Sequence, residues 1–398
     1  RNHPSIVMWS IGNEIDYPND PYCHPLFETM TGNNDANKPA KERQYDPNKP
    51  NAEQLSVIAK ELAAIVRTQD TTRPVTLAAA FPELSSHIGF FDALDVVGYN
   101  YKEHLYEESH KRFPDKPFLG SENGGGYEQW CAVRDNAYIS GQFLWTGIDY
   151  LGEANWPQRS AGCGCLDTCG FEKDAFYFYK SVWNQNEKFA YLCPHWNLKL
   201  EKGTVLPVIC YTNCEDAELF VNGRSFGMKS KGFPCYGMTE RYGHFDRYRR
   251  PANTDDLFLS WDVPYEPGKI EVVGYHDGKE VCRYNVETTG EAAAIKLTVD
   301  KTSVDADGRS VVQAEVRIVD SEGHLVFDAC PELNFTLEGD GEIIGIDNGD
   351  PACHEQWKET KGRHAFNGMA YAIIRAGQTT GKAKTHCIWC RKECESGN

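Results

Sequence analysis

The sequence predicts a multi-domain chain, parallel α/β in its first part and all-β in its second. Three observations carry this reading. Up to about Trp183, short apolar runs alternate with segments of helical spacing, as in strand–helix units around a parallel sheet. Beyond Trp183, short strands recur between Asn-Gly and Asp-Gly turns, with no helical pattern among them. The 398 residues, 40% of them hydrophobic, are also enough for roughly two to three cores.

Residues 5–11 form an apolar, β-leaning run that ends in Gly12 and the polar pair Asn13-Glu14. A buried parallel strand delivers side chains to its C-terminal rim in this way. Residues 15–50, rich in Asp, Asn, Pro and Lys, read as a long irregular loop over that rim. Leu55, Ile58, Ala59, Leu62, Ile65 and Val66 fall on one face of a helix, which Asp70-Thr-Thr-Arg-Pro74 stops. Strands follow at 75–80 and 94–99, the second leading into Asn100 and Tyr101, and a short helix covers 103–112. Residues 117–122 make a further strand that again ends in a Glu. A helix over 127–140 and a strand over 141–148 continue the alternation. About five strands fit either an open doubly wound sheet or the second part of a closed (β/α)8 TIM barrel. The chain opens directly on a core strand, without a cap, linker or initiator Met. That favours the C-terminal part of a barrel, entered at about its fourth strand, and predicts a fragment inactive in isolation.

Past Trp183, residues 205–211, 217–221 and 224–226 surround an Asn222-Gly223 turn, a strong hairpin signal. A second hairpin spans 269–275 and 280–286 across His276-Asp277-Gly278. Strands continue at 295–299, 311–319, 333–337, 342–346 and 371–374. The reading is an α/β domain over 1–185 and two immunoglobulin-like β-sandwiches over 186–290 and 291–398, divided near Gly290. Residues 227–256 read as a long excursion between strands.

The formal charge of −17 argues against non-specific binding to nucleic acid or to anionic membranes. No apolar run of ~18 residues exists, so no membrane span is predicted, and no signal peptide is visible. Nine Trp and 20 Tyr are a rich aromatic supply; such rings line carbohydrate sites and also fill cores. The 15 cysteines are odd in number and lack a framework spacing, which fits thiols in a reducing cytosol and hence a cytoplasmic location. Cys163-Gly-Cys165-Leu-Asp-Thr-Cys169 and His386-Cys387-Ile-Trp-Cys390-Arg-Lys-Glu-Cys394 are the two clusters. The second has Cys-x-x-Cys spacing without a separate second pair, so no metal site is assigned to either.

Two strands of one α/β domain thus end in Glu14 and Glu122. Hydrolysis of a glycosidic bond uses two carboxyl groups, one to protonate the leaving oxygen and one to attack or to activate water. Placing them on different barrel strands holds their separation rigidly. The surrounding residues sharpen this. Arg-Asn-His-Pro-Ser-Ile-Val-Met-Trp-Ser-Ile-Gly-Asn-Glu (1–14) resembles the acid/base signature of glycoside hydrolase family 2. Gly120-Ser121-Glu122 resembles the family's nucleophile strand, and Gly141-Gln-Phe-Leu-Trp-Thr-Gly-Ile-Asp-Tyr-Leu-Gly-Glu153 its eighth barrel strand. Arg159-Ser160, Asp167-Thr-Cys-Gly-Phe-Glu-Lys-Asp174 and Tyr177-Phe-Tyr-Lys-Ser-Val-Trp183 are similar to its bacterial β-galactosidases.

The resemblance implies a retaining double displacement, with Glu14 as general acid then base and Glu122 as nucleophile. It requires Glu14 protonated and Glu122 ionised at rest. It also implies that Asn13 hydrogen-bonds the sugar 2-hydroxyl, that Tyr101 donates to the nucleophile, with Tyr99 as the competing candidate, and that Trp145 floors the sugar. His3 and Arg1 fall at the wrong end of their strand and read as structural. Family members that hydrolyse glucuronides carry an Asn-x-Lys motif, where this chain has Ser160-Ala-Gly-Cys163. A neutral sugar is therefore expected, galactose first, with mannose or an arabinoside as alternatives, and a β-glucuronidase or β-mannosidase of the same family is the runner-up reading. The expected partner is an oligo- or polysaccharide, and homo-oligomers are compatible with the sandwiches. The family's divalent cation is held by residues upstream of this stretch, so no metal ligand is assigned. A non-catalytic carbohydrate-binding protein is the competing class; it predicts that Glu14 and Glu122 tolerate Gln without loss of function.

Overall fold

The computed structural model describes residues 3–17, 21–28, 45–230, 258–356, 358 and 362–389, leaving out the side chains of Tyr127 and Glu128. The chain forms two compact units, residues 1–146 and 147–398.

The first unit is a parallel sheet of five strands: β1 (Trp9–Asn13), β2 (Val75–Ala79), β3 (Val97–Asn100), β4 (Phe118–Asn123) and β5 (Ile139–Leu144). They lie side by side in sequence order, each parallel to the next. A doubly wound sheet reverses its order at a switch point, whereas a barrel wall does not. The order therefore decides between the two architectures in favour of the barrel wall. Between the strands run α1 (Gln54–Gln69), α2 (Pro82–Ser85), α3 (Tyr106–Arg112) and α4 (Tyr127–Arg134). Strands β2 and β3 are buried throughout, as parallel strands covered on both faces are. Leu77, Phe81, Phe90, Phe91, Tyr99 and Phe118 make the centre of this core.

Asp70 explains why α1 stops where it does. One carboxylate oxygen accepts the Thr72 N–H (2.9 Å) and hydroxyl (2.7 Å); the other accepts Trp9 Nε1 (3.1 Å) and Arg73 (2.6 Å). These donors hold its carboxyl far below the usual carboxylate range and tie the helix end to β1.

Three boundaries differ from expectation. β1 begins at Trp9 rather than residue 5, since Pro4 and Ser5 sit in a turn, and it is half-buried rather than buried. The helix expected over 127–140 ends at Arg134, where the Asn136 amide takes the Ala132 carbonyl (2.7 Å) in competition with the helix. The last strand consequently runs from Ile139 to Leu144, earlier than the expected 141–148.

The second unit opens with a ribbon of β6 (Tyr150–Leu151) and β7 (Ser160–Ala161), followed by α5 (Asp174–Trp183). Seven strands come next: β8 (Ala190–Cys193), β9 (Val205–Thr212), β10 (Asp216–Val221), β11 (Arg224–Ser230), β12 (Leu259–Pro264), β13 (Lys269–His276) and β14 (Lys279–Glu287). They form sheets ordered β11-β10-β13-β14 and β12-β9-β8, closed over Trp196, Val208, Leu219, Trp261 and Val272. Asn222 and Gly223 both take positive φ, as do Asp277 and Gly278, which is what two-residue hairpin turns require. Of the excursion expected over 227–256, residues 227–230 belong instead to β11, and 231–256 lie outside the described residues.

Seven more strands repeat the plan: β15 (Ala294–Val299), β16 (Val311–Val319), β17 (Glu332–Glu338), β18 (Gly341–Asp347), β19 (Gly362–His364), β20 (Met369–Ala376) and β21 (Lys384–Trp389). Their sheets are β15-β16-β20-β18 and β19-β17-β21, around a separate core of Val316, Ile318, Phe335, Ile346 and Ile374. Sequence reading found most of these strands but missed β8, β12, β19 and β21. No helix among the described residues is long and apolar enough to cross a membrane.

Candidate active site

The C-terminal ends of the sheet's strands stand level. Asn13 pairs with Ala78, Ala78 with Gly98, and Asn100 with Glu122. Two residues at this rim leave the extended conformation: Glu14, just past β1, and Tyr101, just past β3, each with φ 55°. A left-handed backbone costs a residue with a Cβ on the order of 1–2 kcal/mol. Strand-to-strand bonds hold both turns, Glu14 N–H to the Ala78 carbonyl (2.8 Å) and Tyr101 N–H to the Glu122 carbonyl (2.9 Å).

Asn100 joins the acidic groups. Its side chain is buried, and its amide nitrogen lies 2.9 Å from Asn13 Oδ1, 3.1 Å from Glu14 Oε1 and 3.0 Å from Glu122 Oε2. Two hydrogens thus serve three acceptors. The Asn100 carbonyl oxygen accepts the Ser121 hydroxyl (2.9 Å), which fixes the amide's orientation. Since both carboxylate oxygens lie within a hydrogen bond of one nitrogen, they are at most the two bond lengths apart, about 6 Å. Carboxyl groups about 5–5.5 Å apart suit direct attack on a sugar, while about 6.5–9.5 Å leaves room for water in between. The bound lies below the second range.

Asp16, two residues past Glu14, is fully buried and accepts the N–H groups of Ala80 and Phe81 and the Ser85 hydroxyl, each at 3.0 Å. It ties the turn after β1 to the turn after β2. Burial pushes its carboxyl up to about 6 despite these donors.

The two tyrosine candidates separate. Tyr99 is buried, donates to Ser109 Oγ (2.7 Å) and stacks on Tyr106, and burial pushes its phenol up. It belongs to the core. Tyr101 is at the rim, 43% exposed, with its backbone against Glu122. Trp145 follows β5 at the same end; its N–H donates to the Asn123 carbonyl (3.0 Å), its ring is 42% exposed, and its peptide to Thr146 is cis. His3 is exposed in the turn before β1, and Arg1 lies outside the described residues. The structure thus brings together Asn13, Glu14 and Glu122 through Asn100 and sets Tyr101 and Trp145 on the same rim. Sequence reading missed Asn100 and Asp16. The available signal was Asn100 itself, a polar residue closing an apolar run as Glu14 and Glu122 do.

Among the described residues, only Glu215, His276 and Asp277 form a group of three His, Cys, Asp or Glu residues whose ligand atoms converge, Glu215 from the β9–β10 connection and the other two from the β13–β14 hairpin. Cys387 lies on β21, and Cys390 and Cys394 lie outside the described residues.

Comparison with known proteins agrees with this geometry. Residues 1–149 match the family model for the TIM barrel domain of glycosyl hydrolases family 2. Residues 295–387 match glycoside hydrolase family 2 C-terminal domain 5, and 203–282 match a domain of unknown function, DUF4982. The chain is 33% identical over 440 residues to beta-galactosidase BoGH2A of Bacteroides ovatus, across 96% of this chain and 48% of that protein. It is 29% identical over 213 residues to a beta-glucuronidase of Formosa agariphila, across 53% of this chain and 19% of that protein. A crystal structure of a glycosyl hydrolase family 2 member from Bacteroides cellulosilyticus matches with a TM-score of 0.77 at 28% identity, over 98% of this chain and 48% of that one. A barrel wall bearing paired rim carboxylates is the scaffold of a glycosidase. The chain belongs to glycoside hydrolase family 2. It spans about half the length of BoGH2A and of the matched crystal structure.

Proposed function

We propose that the polypeptide is a retaining glycoside hydrolase that removes terminal, non-reducing β-D-galactosides by double displacement. The observation that carries this is the single Asn100 amide bonded to both Glu14 and Glu122, which bounds their separation at about 6 Å. Glu14 protonates the glycosidic oxygen as the Glu122 carboxylate attacks the anomeric carbon; the C–O bond breaks and a galactosyl ester of Glu122 forms. Water then attacks the anomeric carbon of that ester, giving its proton to Glu14 as the bond from that carbon to the Glu122 carboxylate breaks. Asn100 donates to Glu122 while the latter is ionised, keeping its attacking oxygen aimed. With its carbonyl taken by Asn100, Asn13 has its NH2 to offer the sugar 2-hydroxyl, a contact that strengthens as positive charge develops. Tyr101 and Trp145 are assigned to the nucleophile and the sugar face.

Galactose is supported by the likeness to a named beta-galactosidase across 96% of the chain. Beta-glucuronidase is the second reading, favoured by the Formosa relative. Against it, both cations between residues 147 and 174 already face carboxylates: Lys173 with Asp149 at 3.0 Å and Arg159 with Asp347 at 3.1 Å. Neither is left as an evident partner for a uronate.

The test is Glu122→Gly in the natural full-length polypeptide with an activated aryl β-galactoside. Turnover should vanish, and added azide should restore it with α-galactosyl azide as product. Failure of rescue in a folded variant, while the wild type turns over, would remove Glu122 as nucleophile. Wild-type rates on aryl galactoside, glucuronide and mannoside separate the sugars.

A further inference from the structure

We propose that Cys214 and Cys282 form a thiol–disulfide exchange site that closes into a disulfide within the first sandwich. Cys214 lies in the connection between β9 and β10, and Cys282 lies on β14, at the edge of the four-stranded sheet. Their sulfurs are 3.5 Å apart. Between them is Gly274 of β13, directly paired with Cys282. A Cβ at Gly274 would stand 2.7 Å from Cys214 Sγ and 2.6 Å from Cys282 Sγ. The two sulfurs therefore converge over backbone that only glycine leaves bare. Thr212 fixes the Cys214 side of the pair, accepting the Cys214 N–H (3.0 Å) while donating to the Phe189 carbonyl (2.6 Å). A disulfide's S–S length is about 2 Å, so the sulfurs have roughly 1.5 Å left to close.

Exposure sets the order of events. Cys214 is 1% exposed, whereas Cys282 is partly open. The Cys282 thiolate attacks a low-molecular-weight disulfide such as oxidised glutathione, forming a mixed disulfide and releasing one glutathione thiolate. The Cys214 thiolate then displaces the second glutathione. Two protein thiols are oxidised, one glutathione disulfide is reduced to two thiols, and two protons leave the protein. The neighbouring thiol and burial both push the Cys282 thiol up, so exchange should be slow at neutral pH and accelerate as pH rises. The bridge would span 68 positions and tie the inter-sheet connection to an edge strand.

The test incubates the natural full-length polypeptide with oxidised glutathione at mildly alkaline pH, alkylates it in denaturant, and maps peptides without reduction. The expected product is a peptide linked through Cys214 and Cys282. Cys214→Ser should trap Cys282 as a stable glutathione adduct, and Gly274→Ala should slow linkage by about tenfold or more. Full alkylation of both cysteines, after exposure that oxidises other thiols of the chain, would overturn the proposal. So would a wild-type Cys282–glutathione adduct that persists beside unreacted Cys214. The trapping variant keeps the test decisive if Gly274→Ala does not fold.

Discussion

Asn100→Ala isolates the contribution of the amide that bridges the two carboxylates. The substitution removes donors at 3.1 Å from Glu14 and 3.0 Å from Glu122, and it leaves the Ser121 hydroxyl without its acceptor. A hydrogen bond to an ionised group is worth about 1.5–3 kcal/mol and a neutral one about 0.5–1.5 kcal/mol. In the mechanism proposed above, one bond of each kind is lost, roughly 2–4 kcal/mol of positioning in the reacting state. At about 1.4 kcal/mol per tenfold, kcat/KM for an aryl β-galactoside should fall roughly 30- to 1000-fold. The fall should lie mainly in kcat, because Asn100 holds the reacting groups rather than the sugar. The acidic limb of the kcat/KM profile should also move to higher pH, since a carboxylate stripped of a donor takes up a proton more readily. A purely structural role would not move that limb. A folded variant with kcat/KM within about threefold of wild type and an unmoved acidic limb would refute the bridge as a catalytic device.

Tyr101→Phe should lower kcat by about 100-fold if its hydroxyl serves the nucleophile, whereas Tyr99→Phe should leave kcat intact and cost about 1 kcal/mol in denaturant unfolding for the lost Ser109 bond. Equal kinetic effects would undo the distinction drawn between rim and core. Trp145→Ala should raise KM with a smaller change in kcat, by roughly 1–3 kcal/mol of lost apolar contact; an unchanged KM would remove it from the sugar site. Asp16 links stability to pH. Burial pushes its folded carboxyl up to about 6 from an ordinary 3.8, so its contribution is fully present below the lower value and is lost as pH rises through the upper one. The wild-type minus Asp16→Asn difference in unfolding free energy should therefore decline by on the order of 3 kcal/mol between those limits. A flat difference would place the group's titration elsewhere.

Much of the fold was legible because parallel strands buried on both faces leave uninterrupted apolar runs, and Asn222-Gly223 and Asp277-Gly278 mark hairpins by backbone necessity. Boundaries were less legible where side chains decide them, as Asn136 does at the end of α4. The tyrosine ambiguity had a specific physical cause. Tyr99 and Tyr101 have the same parity along the chain, so a period of two cannot separate them. They part only because Tyr101 enters the left-handed region, a conformation unfavourable to residues with a Cβ and invisible in composition.

The carboxylate bridge was hidden for a related reason, a break in register. Tyr99 pairs with Gly120, yet Asn100 pairs with Glu122, so β4 carries one extra residue, Ser121, at the rim. A regular ladder would set Ser121 opposite Asn100 and turn Glu122 to the other face, since a slip of one residue inverts every side chain beyond it. With the irregularity, consecutive residues of β4 both reach the same Asn100, Ser121 to its carbonyl and Glu122 to its amide. Gly98 makes room for this: a Cβ there would stand 2.3 Å from the Leu77 carbonyl and 2.8 Å from Ser121 Oγ. Bulges at a barrel rim re-aim side chains in this manner. The separation of the two carboxylates is therefore set less by which strands carry Glu14 and Glu122 than by one inserted serine and one bare glycine.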